Sequence, residues 1–577
     1  MGSFSLYDDD ADFRTLNDIF EFATTEYAQN IAYRMRRDDG KFEEYSYARF
    51  RGMSCALANY LSSLGAGNGT HIGLLSENRP EWPIIYFAIL RAGAVVVPMD
   101  ALLSESEITH IVKDAEVSIL FASRPQFEKL SEMGNLLRGL KQLIVIDPVA
   151  SDNRRVLNLQ DALLQGEKKG DTQFTPVKKD DLAALIYTSG TTGVSKGVML
   201  SHGNITSDVL GLRRLIWFDK SDSFLSVLPM HHTFEATTGM IIPISKGSSV
   251  TVAESLASKR IIANIRDAKV TIIMGVPLLY EKMLAGIFRG IHEKPLPVQL
   301  LFKGMYGLVR GVKKFSGQSI GQSVFRSLRN KAGLGSLRYL ISGGAPLPVW
   351  VGKGFAHLGI HFLNGYGLTE ASPVLAVNVE SDTDNTTVGY PVYGAELSID
   401  EPDQQGIGEL RARGDMVMQG YYKNKKATDA VLRNGWLYTG DIARFDAKGR
   451  VVICGRSKDV IVTEGGKNIY PEEIEMLLDT SIYIRESLVL GRPISKDNPG
   501  ENVVACIVPD YEAIEAQYGT KLEAAAIEEL ISGEITALGS DLPAYKKIRE
   551  FVIHSEEFPK TSTRKIKRYL FKGITMK

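Results

Sequence analysis

Residues 182–197 read Leu-Ala-Ala-Leu-Ile-Tyr-Thr-Ser-Gly-Thr-Thr-Gly-Val-Ser-Lys-Gly. The apolar run at 182–187 predicts a buried strand, and the residues after it predict a loop at the strand's end. This loop carries three glycines, five aliphatic hydroxyls and one lysine, Lys196. Glycines let backbone N–H groups close around an anion, hydroxyls add donors and lysine adds a point charge. The composition indicates a phosphate-binding loop, with a flexible polar surface loop as the alternative.

The loop differs from the usual P-loop, which ends in Gly-Lys followed by Ser or Thr. Ser195 takes the place of the glycine before Lys196, and Gly197 takes the place of the Mg²⁺-binding hydroxyl after it. The sequence therefore predicts a phosphate site of a different type from that of P-loop ATPases.

The composition of the 577-residue chain is that of a globular protein of several domains, with 44% hydrophobic residues and a formal net charge of −1. This near-neutral charge gives no support for general nucleic-acid binding. The three cysteines, Cys55, Cys454 and Cys506, are far apart and have neither metal-ligand nor disulfide-framework spacing. We therefore expect a reducing compartment.

The N-terminus and the longest apolar region bear on localisation. The chain runs early into Asp8-Asp9-Asp10 instead of an apolar core, so we expect no secretory signal. Residues 83–99 are interrupted by Arg91 and are too short to span a bilayer. The resulting expectation is a cytoplasmic protein.

Strand-like and helix-like runs alternate through most of the first 455 residues. Strands are predicted at 71–75, 94–98, 118–122, 143–147, 182–187, 270–275, 337–342 and 361–363, and helices at 82–91 and 105–115. Such alternation predicts an α/β fold with parallel sheets covered by helices. Ligands of such folds bind at the carboxyl ends of the strands.

The pattern changes after Asp441, and we place a domain boundary near Lys458, giving domains 1–457 and 458–577. Pro471-Glu472-Glu473 opens a helix, because proline suits the first turn and acids favour the positive end of the helix dipole. Strands at 486–491 and 503–509 and a helix at 522–538 follow. The second domain is thus predicted to be a small α+β domain.

Three further motifs carry polar groups into predicted loops. Ser342-Gly343-Gly344-Ala345-Pro346 would let a flat base lie against the backbone, although a plain turn is the alternative. In residues 364–370, Asn-Gly-Tyr-Gly-Leu-Thr-Glu, Tyr366 presents a ring face and Glu370 offers a hard oxygen ligand suited to Mg²⁺. Tyr438-Thr439-Gly440-Asp441 places a carboxylate after a tight turn, suited to ribose hydroxyls or to turn capping, and Arg456 could approach the same sugar.

Together, in this order and spacing, the motifs resemble those of the adenylate-forming superfamily over residues 17–570. This superfamily includes acyl-CoA synthetases, luciferases and peptide-synthetase adenylation domains. The resemblance implies a large domain with a small β subdomain, followed by a mobile C-terminal domain. It also implies roles for these nucleotide- and metal-binding residues: pyrophosphate at Thr188, Ser189, Gly190, Thr191, Thr192, Gly193 and Lys196; adenine at Gly343, Gly344, Ala345 and Tyr366, with Asn364, Gly365 and Gly367 beside it; α-phosphate at Thr369; Mg²⁺ at Glu370 and Thr188; ribose at Asp441 and Arg456.

The resemblance extends to the acyl site in residues 229–235, Pro-Met-His-His-Thr-Phe-Glu. It implies that His232 lies between the acyl carboxylate and the phosphate, with Phe234 as a pocket wall. His231 is a second candidate, and a satisfied core histidine is the structural alternative.

The C-terminal region supplies the remaining residues that the resemblance implies. In the tail, Lys565 matches the lysine that enters the site for adenylation, with Arg564 in place of the usual glycine before it. A mobile point charge suits contact with both a carboxylate and a phosphate oxygen. Lys458 matches the hinge residue, and Gly465, Gly466 and Lys467 match the loop that meets the thiol acceptor. A solvated basic tail is the alternative interpretation.

The implied reaction joins a carboxylic acid to ATP, releases pyrophosphate and passes the acyl group to a thiol, with coenzyme A as the expected acceptor. Residues 228–235 and an extended segment at 288–333 are similar to those of long-chain fatty acyl-CoA synthetases. That segment has nine Lys or Arg, a single acid, Glu293, and many apolar residues, which predicts contact with a membrane surface or a partner, or a solvated helix pair. The membrane contact would be peripheral, on the inner face.

Three alternatives remain at this stage. An acyl-carrier-protein ligase would use the basic segment to bind an acidic carrier. A non-catalytic ATP- or acyl-binding protein is disfavoured by the presence of Glu370, Asp441 and Lys565 together. Amino-acid activation is disfavoured because residues 230–234 lack an Asp for the substrate ammonium, although Glu235 leaves the point open.

Overall fold

Helices and strands alternate along the computed structural model, which describes residues 5–7, 11–170, 174, 176–188, 195–316, 320–465, 467–495, 498–560 and 566–571. The α-helices of these residues are α1 Leu16–Glu26, α2 Tyr47–Ser63, α3 Glu81–Arg91, α4 Glu105–Asp114, α5 Arg124–Glu132, α6 Gly134–Gly139, α7 Leu159–Glu167, α8 His202–Arg213, α9 Ile242–Lys246, α10 Ser258–Asp267, α11 Pro277–His292, α12 Leu296–Ser316, α13 Gly321–Val324, α14 Arg326–Lys331, α15 Val349–His357, α16 Lys425–Val431, α17 Pro471–Leu478, α18 Tyr511–Tyr518 and α19 Ala524–Leu538. A π-helix, Glu235–Ile241, precedes α9.

The strands are, in chain order, β1 Ile31–Arg36, β2 Phe42–Ser46, β3 His71–Leu75, β4 Val95–Met99, β5 Ile119–Ala122, β6 Gln142–Val145, β7 Val156–Asn158, β8 Leu182–Thr188, β9 Lys196–Ser201, β10 Ser223–Ser226, β11 Ser249–Val252, β12 Ile272–Gly275, β13 Tyr339–Ser342, β14 His361–Gly367, β15 Val374–Val377, β16 Tyr390–Pro391, β17 Glu396–Asp400, β18 Gly408–Arg413, β19 Gly420–Tyr421, β20 Leu432–Arg433, β21 Trp436–Phe445, β22 Val451–Arg456, β23 Ile461–Val462, β24 Asn468–Ile469, β25 Ile484–Ser495, β26 Asn498–Pro509 and β27 Glu550–Ile553.

The chain divides into two compact units. Unit 1 comprises Met1–Gly344, Lys353–Leu397 and Ala412–Leu437, and unit 2 comprises Ala345–Gly352, Ser398–Arg411 and Tyr438–Lys577. The domain boundary at Lys458 stays a prediction.

One sheet of unit 1 has eight strands in the order β19-β9-β8-β4-β3-β5-β6-β7. From β8 to β7 all neighbouring strands are parallel, whereas β9 returns antiparallel to β8. Every residue of β3 and β4 is buried. Val95-Val96-Val97 supplies the β-branched side chains that suit a strand covered on both faces.

The second sheet of unit 1 has nine strands in the order β16-β15-β14-β13-β12-β10-β11-β1-β2. Its interior, from β14 to β1, is parallel, and antiparallel strands β15, β16 and β2 form the edges. The carboxyl ends of β10 and β13 lead into two of the predicted site motifs, and β14 contains the start of a third. This topology brings motifs that are distant in sequence to one edge of a sheet.

Unit 2 contains a three-stranded sheet in which β26 pairs antiparallel with β25 and parallel with β27. Helix α17 begins at Pro471, as the sequence predicts, and buries Ile474 and Leu478. These side chains pack in one hydrophobic cluster with Val489 and Ile531 of β25 and α19. The cluster explains why this α+β region folds around its own core.

The α/β class with parallel sheets flanked by helices is confirmed. No helix in the described ranges has both the length and the apolar character needed to cross a bilayer.

Candidate active site

Strands β8 and β9 carry the edges of the predicted phosphate loop. The two strands form an antiparallel hairpin in which Thr188 pairs with Lys196 and Tyr187 with Gly197. A Cβ atom at Gly197 would lie 2.9 Å from a Leu185 methyl carbon, so a larger residue there would have to displace the Leu185 side chain. Lys196 is the first residue of β9. The loop residues predicted between these edges, Ser189, Gly190, Thr191, Thr192 and Gly193, lie outside the described residues.

Helix α4 anchors both ends of this hairpin tip. The Tyr187 hydroxyl donates a hydrogen bond to Asp114 Oδ2 at 2.5 Å. On the other side of the loop, His110 Nε2 lies 3.3 Å from the Ser195 carbonyl oxygen. Residues four apart share a helix face, so one face of α4 fixes the two points where the chain enters and leaves the loop.

Tyr421 connects Lys196 with Glu370. The Lys196 ammonium lies 5.1 Å from the centre of the Tyr421 ring, and the Tyr421 hydroxyl donates a 2.7 Å hydrogen bond to Glu370 Oε1. Burial, with the Glu370 charge as the next cause, raises the pKa of Tyr421, which keeps this hydroxyl protonated as a donor. Strand β19 holds Tyr421 in place because Tyr421 pairs with Val198 of β9. A predicted phosphate-loop cation and a predicted metal ligand are thus held around one tyrosine.

The Asn-Gly-Tyr-Gly motif lies within β14, and the expectation that it follows the strand is wrong. Gly365 pairs with Val377 and Tyr366 with Ala376, so the motif forms the antiparallel half of β14 against β15. Glu370 follows in a 3-10 turn, Thr369–Ala371. Backbone pairing overrides the weak strand propensity of glycine and asparagine here.

The acyl-site candidates lie after β10 and contact the nucleotide candidates. Thr233 Oγ1 lies 3.1 Å from Thr369 Oγ1. The Phe234 ring is so close to Gly343 that a Cβ atom there would lie 3.1 Å from it. The structure therefore brings Phe234 and the neighbours of His232 beside two predicted nucleotide-binding residues. Gly344 has φ +83°, a conformation that favours glycine.

His231, His232 and Asp100 form a polar cluster, although β10 and β4, the strands that precede them, belong to different sheets. The His231 and His232 ring centres are 4.2 Å apart, and His231 Nε2 lies 3.5 Å from Asp100 Oδ2. Burial lowers the pKa of His231 to about 3, so its imidazole is neutral. Asp100 directly follows β4, and sequence analysis missed it although its place at the end of a buried strand was a usable signal.

Glu235 begins the π-helix and is almost fully buried, with 1% of its surface exposed. Its carboxylate lies against Gly239, where a Cβ atom would approach its oxygens to 2.7 Å. Burial raises the pKa of Glu235 to about 8, and Ser226 partly offsets the shift. Neither carboxyl oxygen has a hydrogen bond of ordinary geometry in the described part of the chain. The group is thus a buried acid that favours its neutral form.

In unit 2, Asp441 and Arg456 face each other across a strand pair. Asp441 lies inside β21, so the expectation that it follows a tight turn is wrong. It pairs with Arg456 of β22, and Arg456 Nε donates a 2.6 Å hydrogen bond to Asp441 Oδ1. Gly440 keeps a turn-like φ of +71° within the strand. The two predicted ribose-binding residues are therefore adjacent.

The other C-terminal candidates are only partly described. Lys458 lies in a 3-10 turn, Ser457–Asp459, and Gly465 and Lys467 lie between β23 and β24. Lys565 and Gly466 lie outside the described residues. Ala345 belongs to unit 2.

The parallel sheets and the polar groups at their carboxyl ends define a class of protein, the α/β proteins whose ligands bind at the carboxyl ends of the strands. The chain belongs to the family of AMP-binding enzymes, which it matches over residues 20–422.

Similar proteins cover most of the chain. It is 30% identical over 547 residues to the long-chain-fatty-acid–CoA ligase FadD15 of Mycobacterium bovis, covering 90% of this chain and 87% of that protein. It is 26% identical over 583 residues to fatty acyl-CoA synthetase B of Dictyostelium discoideum, covering 96% and 85%. The crystal structure of ATP-bound MatB from Rhodopseudomonas palustris superposes with a TM-score of 0.75 at 25% identity, covering 96% of this chain and 98% of that one.

Proposed function

We propose that this protein is an ATP-dependent, AMP-forming ligase that joins long-chain fatty acids to coenzyme A. The observation that carries the proposal is the Lys196–Tyr421–Glu370 arrangement, in which one tyrosine contacts both a predicted phosphate-loop cation and a predicted metal-binding carboxylate. Family membership supports ATP as the nucleotide. The relatives named as fatty acyl-CoA ligases, which match about nine-tenths of the chain, support the acid and the thiol.

The proposed nucleotide site is assembled from several motifs. Residues from Thr188 to Lys196 bind the pyrophosphate part of ATP, and the Gly343 and Tyr366 motifs bind adenine. Asp441 and Arg456 bind ribose. The sugar hydroxyls would either replace the hydrogen bond between these two side chains or be added to it. Thr369 contacts the α-phosphate, and its 3.1 Å contact with Thr233 supports an acyl carboxylate close by.

Glu370 and Thr188 would hold Mg²⁺ with ATP. Both offer oxygen donors, which fits a hard cation that prefers carboxylate, hydroxyl and water ligands. When bound, the ion neutralises charge on the phosphates.

The chemical problem is the approach of one anion to another, because the fatty-acid carboxylate attacks the α-phosphorus of ATP. The attacking group is already charged, so no strong general base is needed. Lys196 holds the departing pyrophosphate, Lys565 contacts the carboxylate and the α-phosphate, and His232 lies between carboxylate and phosphate. Removing one such preorganised contact typically raises a barrier by about 3–4 kcal/mol.

The second half-reaction is thiol attack on the acyl-adenylate. Lys458 acts as the hinge for a change of domain orientation that withdraws Lys565. Gly465, Gly466 and Lys467 then line the path of the thiol arm, where glycine permits close approach to the backbone.

Pyrophosphate exchange with acids of increasing chain length tests the proposal. We expect ATP–pyrophosphate exchange that depends on a fatty acid and is greatest with long chains. A protein that shows no acid-dependent exchange with any acid in the series contradicts the ligase assignment and favours a non-catalytic binding protein.

The acceptor is tested separately, since the basic segment at 288–333 would also suit an acidic acyl carrier protein. Supplied acyl-adenylate should be consumed faster with coenzyme A than with a carrier protein. The reverse order would reassign the enzyme as an acyl-carrier-protein ligase.

Helix α12 is the feature that supports peripheral membrane contact. Its inner side packs Phe302 and Tyr306 near the buried Phe325. Its outer side exposes apolar side chains without an intervening acid, namely Leu300 (59% exposed), Leu301 (63%), Leu308 (57%) and Phe315 (89%). Lys303, Arg310 and Lys314 are exposed on the same helix. An apolar face edged by cations fits an anionic bilayer, and each cation contributes roughly 1 kcal/mol near such a surface.

Vesicle flotation tests this contact. We expect binding to phosphatidylserine-containing vesicles that falls with salt and is lost in Leu308→Glu. The matched control is Leu102→Glu, which alters another exposed leucine (81%). Equal flotation of both variants, or no effect of replacing Lys303, Arg310 and Lys314 by Gln, contradicts membrane contact through α12.

A further inference from the structure

Asp100, His231 and His232 bring three metal-type ligand atoms together in unit 1. Asp100 follows the carboxyl end of β4, and the two histidines lie between β10 and the π-helix. One oxygen of Asp100 and one ring nitrogen from each histidine lie within 4.8 Å of one another. In the described residues this is the one such grouping of three His, Cys, Asp or Glu side chains.

The contact between His231 and Asp100 is poorly explained as a hydrogen bond. Nε2 of His231 and Oδ2 of Asp100 are 3.5 Å apart, and Nε2 is buried without a hydrogen-bond partner among the described residues. A buried ring nitrogen left without a partner is costly, so the site favours a ligand between the two atoms.

The separation fits a tetrahedral metal centre. Zinc binds imidazole nitrogen at about 2.0–2.1 Å and carboxylate oxygen at about 2.0–2.2 Å, which places two ligand atoms of a tetrahedron about 3.4 Å apart. The observed 3.5 Å between Nε2 and Oδ2 matches this edge. The ligand nitrogen of His232 lies within 4.8 Å of both of these atoms.

We propose that Asp100, His231 and His232 bind one divalent transition-metal cation of the Zn²⁺ type. Two imidazoles and a carboxylate suit zinc, cobalt or nickel, whereas Mg²⁺ prefers oxygen ligands alone. The site therefore differs in chemistry from the Mg²⁺ position proposed at Glu370. Three protein ligands leave a fourth position for water or a substrate carboxylate.

Binding to the proposed site is independent of the ligase activity, but its consequence rests on the proposed function. If His232 lies beside the acyl carboxylate, a cation bound at this site coordinates the His232 imidazole, which is then not available to contact the substrate. Zinc at this site would then compete with adenylate formation, and the Mg²⁺-dependent reaction would recover when the zinc is chelated.

Zinc titration of the chelator-treated full-length protein tests the site. We expect one Zn²⁺ per chain, seen by calorimetry and by elemental analysis after dialysis. His231→Gln and Asp100→Asn should each weaken binding at least about 100-fold, because loss of a direct ligand exceeds the 10–100-fold effect of losing an outer partner. Unchanged affinity in either variant, or no binding by the wild-type protein, overturns the proposal.

The matched control is His361→Gln. His361 Nε2 also lies 3.5 Å from a carboxylate, Glu380 Oε1, but it belongs to no three-ligand grouping among the described residues. This variant should bind zinc as the wild type does, and loss of binding in it would overturn the assignment.

The site can also be tested on the wild-type protein alone, so the test does not depend on variants that fold. Cobalt bound at the site should give the intense visible absorption of a tetrahedral centre, displaced by one equivalent of zinc. The weak spectrum of an octahedral ion overturns the proposal. Zinc should also raise the thermal midpoint by mass action.

Discussion

Tyr421 is a single residue on which two proposed ligand contacts depend. Replacing it with Phe keeps the ring beside Lys196 and removes the hydrogen bond to Glu370 Oε1. A hydrogen bond to a charged group contributes about 1.5–3 kcal/mol, so Tyr421→Phe should lower kcat/KM for fatty-acid-dependent pyrophosphate exchange about tenfold or more. Steady-state kinetics at saturating Mg²⁺ measure the effect.

The matched control is Tyr422→Phe, which alters the next residue. Tyr422 donates its backbone N–H to the Gly197 carbonyl and has no hydroxyl contact with Glu370 among the described hydrogen bonds. It should retain near-normal exchange. Equal losses in the two variants would show that Glu370 does not need the Tyr421 hydroxyl.

Glu235 predicts a pH dependence of stability. Its pKa rises from an ordinary 4.5 to about 8 in the folded protein, because burial disfavours the charge. Between these values the folded form keeps a proton that the unfolded chain has lost, so stability falls as pH rises, by about 1.4 kcal/mol per pH unit. Glu235→Gln removes this slope.

Denaturant unfolding at pH 5 and pH 8 measures the difference. The free energy of unfolding of the wild type should fall from pH 5 to pH 8 more than that of Glu235→Gln. The stability of the variant relative to the wild type should therefore be higher at pH 8 than at pH 5. Parallel pH profiles of the two proteins would contradict a buried, proton-binding Glu235.

The sequence identifies many individual candidates but not their partners. Lys196 and Glu370 stand out because glycines and hydroxyls surround them. Tyr421 has no comparable local signal, and the only local signal of Asp100 is its place at the end of a buried strand, since their contacts come from strands that meet only after folding. Residue chemistry is therefore readable locally, whereas the contacts that tune it are not.

At the scale of single elements, β14 allows a test of whether the Gly-Tyr-Gly motif requires glycine at a particular position. A Cβ atom at Gly367 would lie 1.8 Å from the Pro373 carbonyl oxygen, whereas one at Gly365 would find its nearest neighbour at 3.5 Å. Gly367→Ala should therefore separate β14 from β15 and displace the Thr369–Ala371 turn. We expect a loss of about 1–3 kcal/mol in unfolding free energy and weaker ATP binding.

Gly365→Ala is the matched control, one residue on the other side of Tyr366. It should remain within about 1 kcal/mol of the wild type, since only backbone entropy and ordinary contacts change. Calorimetric ATP binding and thermal unfolding of both variants check the pair. Equal losses of stability and of ATP binding in the two variants would show that glycine is needed throughout the motif, and not only where Gly367 contacts Pro373.

Apolar runs predict the bounds of several helices and strands closely, whereas glycine-rich segments lead to wrong predictions of loops. His71–Leu75 is the strand that its apolar run predicts, and α3 and α4 begin and end within a residue of expectation. The sequence predicts Asn364–Gly367 in a loop after a strand and Asp441 after a tight turn, whereas both lie within strands. Pairing with β15 and β22 supplies what local propensity lacks.

At the scale of the whole molecule, alternating strands and helices predicted the α/β class but not the order of the strands. β1 lies beside β11, with Tyr33 opposite Val250. Nothing in the local pattern of either strand specifies the other, because parallel partners are joined through long connections. The meeting of the β10, β13 and β14 loops follows from this order, so sequence alone gave the motifs without their geometry.

The proposed two-step reaction predicts separable defects in the C-terminal region. Lys565→Ala removes a charge needed only while the carboxylate and the α-phosphate come together. It should lower adenylate formation a hundredfold or more while thioester formation from supplied acyl-adenylate stays near normal. Lys567→Ala, in the same basic tail, is the control and should keep both activities. Single-turnover assays of each half-reaction measure the split, and equal losses in both halves by Lys565→Ala contradict its role.

Lys458→Pro should give the opposite pattern. Lys458 lies in the Ser457–Asp459 turn, where proline would fix φ and remove a backbone donor. If the domain must turn between half-reactions, a fixed hinge should spare adenylate formation and lower thioester formation about tenfold or more. Lys458→Ala separates the backbone from the side chain, because it removes the ammonium and leaves φ free. Normal thioester formation in the Pro variant would rule out a hinge at Lys458, and an Ala variant as impaired as Pro would assign the effect to the lost charge.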